Sequence, residues 1–238
     1  IKASIGKYSQ FLYTVNQEEE LLRIVDFWQP IPDGKKPQQA NHLILGAEYW
    51  ISTGNTVSLE TYYKSYSSIY DLNPTPDYEN IEQTLAISGT AKAYGLEFLY
   101  RFNRKKLNGW ISYAYSNIRR KVDLNSDSIL DSDKEIYPAK YDKPHSFNSL
   151  LSYQINEKYS LGISTTIGSG QTYTPVVGKV HQAGIQTYGS LEKPYTNFGN
   201  IYGIRNGARY PNYFRTDISL GRKSNFFKLD SEIKFQII

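Results

Sequence analysis

From Phe226 to Ile238 the chain alternates with a period of two: Phe227, Leu229, Ile233, Phe235 and Ile237 fall on one side, Lys228, Asp230, Glu232, Lys234 and Gln236 on the other. Successive side chains of a strand point to opposite faces, so this segment predicts a strand with one apolar and one charged face. The alternation recurs along the chain. Read together with turn residues, it predicts about nine strands. They lie over Ile1 to Tyr13, His42 to Ser52, Thr56 to Ile69, Ala91 to Phe102, Trp110 to Arg119, His145 to Ile155, Tyr159 to Gly168, Tyr213 to Arg222 and Phe226 to Ile238.

The connections between these strands alternate in length. Thr53-Gly54-Asn55, Asn156-Glu157-Lys158 and Lys223-Ser224-Asn225 are tight hairpin links, and Asn103 to Gly109 is slightly longer. Between them lie four long polar connections, Thr14 to Asn41, Tyr70 to Thr90, Arg120 to Pro144 and Ser169 to Asn212. Such a short-long order puts every tight turn at one end of the sheet and every long loop at the other, as in outer-membrane barrels. Compact soluble domains rarely carry structureless loops beyond about 12–15 residues. The expected fold is therefore all-β: an antiparallel up-and-down transmembrane β-barrel segment.

The alternation also assigns faces. Leu43, Leu45, Ala47, Tyr49 and Ile51, then Val57, Leu59 and Tyr63, then Tyr94, Leu96, Phe98 and Tyr100, then Leu161, Ile163 and Ile167, then Phe214, Ile218 and Leu220 are expected to face lipid. Glu97, Arg101, Arg215, Asp217, Lys228, Asp230, Glu232 and Lys234 are expected to face the lumen, with Glu48, Ser58, Glu60, Lys64, Asn148 and Gln154. An unpaired charge facing hydrocarbon would cost a few kcal/mol near the midplane. Arg215 and Asp217 are expected to form cross-strand ion pairs with Lys228, Asp230, Glu232 and Lys234.

Composition agrees with this class. No stretch reaches the roughly 18–20 apolar residues that a membrane helix needs, and the hydrophobic fraction is 39% with a mean hydropathy of −0.53. A barrel tolerates these values because only the lipid-facing half of each strand must be apolar. The 22 Tyr among 238 residues suit amphipathic rings at membrane interfaces. The chain has neither Cys nor Met, which removes disulfide and thiolate chemistry. With no initiator and no signal peptide ahead of Ile1, the sequence is expected to be a processed protein or a piece of a longer one. The net charge of +4 is spread out, with only Arg104-Lys105-Lys106 and Arg119-Arg120-Lys121 as short clusters. A nucleic-acid partner is not expected from so dispersed a charge.

Several stretches carry a family resemblance. Ala91-Lys92-Ala93-Tyr94-Gly95-Leu96-Glu97-Phe98 resembles the small-residue, Gly-hydrophobic-Glu strand of TonB-dependent outer-membrane receptors, and Asn108-Gly109-Trp110-Ile111-Ser112-Tyr113-Ala114-Tyr115-Ser116 resembles the strand that follows it. Asp142-Lys143-Pro144-His145 and Arg209-Tyr210-Pro211-Asn212-Tyr213-Phe214-Arg215-Thr216-Asp217 are similar to two further patterns of the family. Gly6-Lys7-Tyr8-Ser9-Gln10-Phe11 and Leu59-Glu60-Thr61-Tyr62-Tyr63-Lys64 match the style of these receptors in Bacteroidetes-like bacteria. The resemblance implies a barrel of roughly 22 strands with a plugged lumen, of which this chain would be the C-terminal part, one strand short of the end. It implies a Gram-negative outer-membrane location and four partners: outer-membrane lipid, an N-terminal plug domain, TonB reached through the region upstream, and a small-molecule or oligomeric ligand. The implied function is active import of a scarce nutrient such as a siderophore, vitamin or oligosaccharide; a passive porin, an adhesin barrel and a soluble secreted binding module are the alternatives.

Within this frame the long loops supply the candidate ligand contacts. Trp28, Tyr173, Tyr188, Tyr195 and Phe198 have rings able to stack on a sugar or aromatic ligand, or to pack the loops on one another. Asp123, Asn125 and Asp127 place oxygen ligands at alternate positions, as at the start of a calcium loop. The run is not an EF-hand, because it lacks Gly at the sixth position and an acid at the twelfth, Lys134. Asp142 and His145 flank Pro144, an arrangement that suits tying down a loop at the start of a strand rather than catalysis. No nucleophile elbow and no histidine spacing for zinc is present, so no enzymatic activity and no resident cofactor are expected.

Overall fold

The computed structural model describes residues 1–15, 27–31, 33–72, 86–122, 136–188, 191–226 and 229–237. Among them every helix or strand is a strand: β1 (Lys2–Gln10), β2 (Leu12–Val15), β3 (Phe27–Pro30), β4 (Gln38–Ser52), β5 (Asn55–Leu72), β6 (Ala86–Arg104), β7 (Leu107–Val122), β8 (Ile136–Pro138), β9 (His145–Gln154), β10 (Tyr159–Gly168), β11 (Thr172–Tyr173), β12 (Val176–Tyr188), β13 (Leu191–Tyr202), β14 (Ala208–Arg209), β15 (Tyr213–Phe226) and β16 (Leu229–Ile237). The main sheet runs in the order β1-β4-β5-β6-β7-β9-β10-β15-β16, with β8 also on β7. Every pairing in it is antiparallel. The long connections therefore share one end of the sheet and the tight turns the other. Gly54, at φ +82°, takes the left-handed conformation that the two-residue β4–β5 turn needs and that a side chain would disfavour.

The register carries one face across the sheet without a break. Leu43 lies opposite Tyr63 and Ala47 opposite Leu59; Leu59 meets Phe98 and Tyr63 meets Tyr94; Phe98 meets Tyr113, which meets Phe147. The apolar row continues through Ile167 to Phe214, and Leu220 faces Phe235 one strand on. Opposite residues of a ladder project to the same side, so a one-residue slip anywhere would have mixed the faces. Among the described residues no second layer covers the apolar side: Leu59 keeps 45% and Phe235 71% of its surface exposed. An apolar face this extensive is a partner surface or a lipid surface. On the other side, Glu60 lies opposite Glu97, and Lys2 Nζ reaches Glu60 at 3.0 Å.

Three expectations need correction. Lys223-Ser224-Asn225 is not the last tight link: these residues belong to β15 and pair with Glu232, Ser231 and Asp230, and β15 runs on to Phe226, opposite Leu229. Among the described side chains Arg215 and Asp217 have no partner across the β15–β16 hairpin; Arg215 Nε donates to Asp217 Oδ1 at 2.9 Å along its own strand. The register explains it, since β16 begins its pairing with β15 only at Ile218, leaving Lys234 opposite Gly221 and Glu232 opposite Lys223. The long loops are also less structureless than their composition implied. Strands β5, β6 and β7 extend into them, and they carry the small pairs β2–β3, β11–β14 and β12–β13. Polar and glycine-containing strands such as Val176–Tyr188 lack the apolar alternation by which the membrane strands announce themselves.

Candidate functional site

Buried side chains gather at the loop end. Ile69, Tyr70, Ala91, Ala93, Val122, Tyr137, Ala139 and Tyr13 are all buried there. A bulge in β5 helps to bring them together: Ser68 stands at φ +54°, and the pairing with β6 shifts between Ser67 and Ile69. Bulges re-aim the residues beside them, and here Ile69 and Tyr70 both become buried. Tyr70 packs at a tilt against Tyr13 with ring centroids 5.4 Å apart, with Ile31 packed against the pair, and its hydroxyl donates to the Lys36 carbonyl at 2.6 Å. Burial pushes the Tyr13 phenol above its usual range.

Below this cluster, on the charged face of the sheet, a cavity of about 390 Å³ opens between β1, β4, β5, β6 and β7. Its walls include Tyr8, Tyr13, Tyr66, Tyr70 and Tyr141, with Gln10, Gln38 and Gln39 as amides and Arg120 as the one charged side chain among the described lining residues. Ala40, Ala91 and Ala93 line it as well. Their small side chains leave the space that the tyrosines surround, which gives the small-residue motif at Ala91-Lys92-Ala93 a physical role. Arg120 Nη2 also donates to the Tyr70 carbonyl at 3.2 Å. Aromatic faces, amides and a guanidinium, with no carboxylate among the described lining residues, suit a ring-bearing, hydroxyl-rich or anionic ligand.

A second group of side chains holds the loops over this end. At the break between β8 and β9 the buried carboxylate of Asp142 accepts from Ile118 N at 2.9 Å, substituting for a strand carbonyl. Asp142 also pairs with the Arg209 guanidinium, and Arg209 Nη1 donates to the carbonyls of Asp142 at 2.6 Å and Gly170 at 3.3 Å. The Asp142-Lys143-Pro144-His145 and Arg209-Tyr210-Pro211 stretches thus meet in space, and the loop-tying role expected for Asp142 is the one it has. Thr172 Oγ1 donates to the Ala139 carbonyl at 2.8 Å, and Asn206 Nδ2 to the Pro138 carbonyl at 3.0 Å. Arg205 sits 4.7 Å over the buried ring of Tyr137.

Of the five aromatic loop candidates, the three whose side chains are described, Trp28, Tyr173 and Phe198, each have separate surroundings. Trp28 lies on β3 opposite Thr14 and is exposed. Tyr173 stacks on Tyr210 at 4.6 Å, and Phe198 meets His181 at 5.3 Å. Tyr188 pairs with Leu191 at the tip of the β12–β13 hairpin and Tyr195 with Gly184 along it; their side chains lie outside the described part. Trp28, Tyr173 and Phe198 are not among the described lining residues of the cavity. Glu97 and Arg101 lie on the charged face with Arg215 and Asp217, and Lys234 and the backbone positions of Asp230 and Glu232 continue it. Lys228 lies outside the described residues, as do Asp123, Asn125 and Asp127. Among the described residues no cluster of His, Asp or Glu could hold a metal. The cavity residues were missed because Tyr8, Tyr66, Ala93 and Ile118 are far apart in sequence and become neighbours only through register.

An antiparallel main sheet with an apolar face uncovered among the described residues, a charged opposite face and the long connections at one end has the make-up of the wall of an outer-membrane β-barrel. The model of one family, TonB dependent receptor-like, beta-barrel, matches residues 13–234, and the chain belongs to that family. No curated protein and no solved structure matches it. The family consists of transporters of the Gram-negative outer membrane, in which a plugged barrel works with TonB.

Proposed function

We propose that this chain is part of the wall of a receptor that captures a scarce nutrient at its outer loops and imports it actively, the ligand being of the siderophore, vitamin or oligosaccharide kind. The observation that carries this reading is the cavity at the loop end of the inner face, with tyrosine walls, amides and Arg120. It lies where an incoming solute would first meet the lumen, and its chemistry grips rings and hydroxyl groups rather than excluding them. In the same reading the charged inner face contacts a plug domain. Further strands pair with β1 and β16, which are each hydrogen-bonded on one side only among the described residues, because bare strand edges are not tolerated in hydrocarbon.

The test is uptake by cells carrying the full-length receptor, with radiolabelled ferric siderophores, cobalamin and oligosaccharides as probes. Saturable accumulation of one of them that collapses when a protonophore dissipates the membrane potential is the expected result. Non-saturable entry indifferent to the protonophore would identify a passive pore instead.

A further inference from the structure

Of the described residues that line the cavity, Tyr141 alone lies outside every strand, in the turn between β8 and β9. A turn residue has no ladder to fix its place, so its position depends on what grips the turn. Here the grip comes from the connection 169–212. Thr172 and Arg209 face each other across the β11–β14 ladder and hold the turn on both sides of Tyr141. Ahead of it, Thr172 Oγ1 donates to the carbonyls of Ala139 at 2.8 Å and Lys140 at 3.0 Å. Behind it, the Arg209 guanidinium donates to the carboxylate of Asp142 and, at 2.6 Å, to its carbonyl. Asp142 N closes the turn on the Ala139 carbonyl at 2.9 Å. Tyr137, Ala139 and Asp142 are fully buried, while Tyr141 keeps 66% of its surface exposed. Anchored residues thus flank a presented ring.

Neither Asp142 nor Arg209 is among the described lining residues of the cavity. We propose, on the reading that solute is captured in this cavity, that the Asp142–Arg209 pair is a positioning element for capture: it holds Tyr141 in the cavity wall before a solute arrives. A ring already in place spares the binding step the cost of ordering it, which for one immobilised side chain is a factor of about five in affinity. A guanidinium suits the task because its planar fork serves the Asp142 carboxylate and the carbonyls of Asp142 and Gly170 together. The compact ammonium of a lysine does not reproduce that fork.

Two measurements on the full-length receptor test the pair. In the first, with any thiols elsewhere removed, spin labels at Tyr141→Cys and Lys105→Cys report the distance from this turn to the β6–β7 turn. Arg209→Gln should broaden that distance distribution markedly and Arg209→Lys to a smaller degree. The distribution between Lys36→Cys, on another loop, and Lys105→Cys should stay as it is. Equal broadening of both pairs would mean general loosening, and an unbroadened Tyr141→Cys distribution would mean no positioning; either overturns the proposal. In the second, saturable uptake is followed with the radiolabelled ferric siderophores, cobalamin and oligosaccharides. Tyr141→Ala and Arg209→Gln should each raise the half-saturating concentration about fivefold, at unchanged maximal rate per folded receptor. The double variant should show the same rise of about fivefold, because both changes remove one placed ring. An additive loss of about twenty-five-fold would overturn the positioning role and leave the cavity reading intact. Uptake indifferent to Tyr141→Ala alone would instead bring down the cavity reading, and the positioning role with it. Heat-modifiable gel mobility counts the folded receptor; should Arg209→Gln fail this check, Asp142→Asn, which keeps an acceptor for Ile118, takes its place.

Discussion

At the scale of single residues, Asp142 and Ala93 concentrate the loop-end design. Asp142 is fully buried, and its carboxylate receives both the Ile118 N–H and the Arg209 guanidinium. Asp142→Ala leaves both donors without that acceptor. The cost of breaking a fully buried pair is about 3–5 kcal/mol, and 32% exposure of the Arg209 side chain reduces the expectation here to about 2–3 kcal/mol. The loss should be local: limited proteolysis of the folded receptor should cut near residues 138–144 markedly faster in Asp142→Ala, and to a smaller degree in Asp142→Asn, which keeps an acceptor for Ile118. Equal cleavage rates in all three proteins would show that the carboxylate does not hold the loop. Ala93 lines the cavity, and Ala93→Leu puts a larger side chain into that space. Saturable uptake should then lose affinity several-fold while the amount of folded receptor in the membrane stays unchanged. Unaltered uptake kinetics would separate the cavity from transport.

At the scale of elements, the strand faces carry the claim. Phe98 is on the apolar face opposite Leu59 and Tyr113, whereas Glu97 faces Glu60 and Ala114. Phe98→Arg should lower the stability of the inserted barrel by about 2–4 kcal/mol, as cationic residues do near the midplane, while Glu97→Gln should change it little. Urea titrations of the folded receptor in vesicles would measure both, and equal effects would refute the face assignment. These faces were legible in the sequence because lipid on one side and polar surroundings on the other impose a strict period of two on β4, β6, β10 and β16. The elements beyond the membrane obey no such rule. The β12–β13 hairpin is held by its own ladder and carries Gly178, Gly184 and Pro194, so its sequence reads as loop. The extension of β7 hid for a related reason: Lys121 occupies an outward position above the apolar band, where polar residues are at ease. The Arg215 pairing was misjudged because face assignment fixes the side of the sheet and not the register.

At the scale of the whole molecule, the sheet has two free edges, β1 and β16, among the described residues. If both are paired in the native receptor, residues 1–238 alone should not yield a heat-modifiable, protease-resistant barrel in detergent or vesicles, whereas the full-length receptor should. Resistance of the isolated segment would mean that it closes on itself. The central claim is that these strands span the outer membrane with the long loops outside and the charged face inward. The absence of cysteine from this chain makes each introduced cysteine its sole thiol, so labelling of intact cells by a membrane-impermeant maleimide tests the claim directly, with any thiols elsewhere in the receptor removed. Tyr141→Cys at the loop end should label in intact cells, Lys105→Cys at the β6–β7 turn only after the outer membrane is permeabilised, and Phe98→Cys in neither state. Labelling of Lys105→Cys in intact cells, or of Phe98→Cys as readily as Tyr141→Cys, would contradict the account.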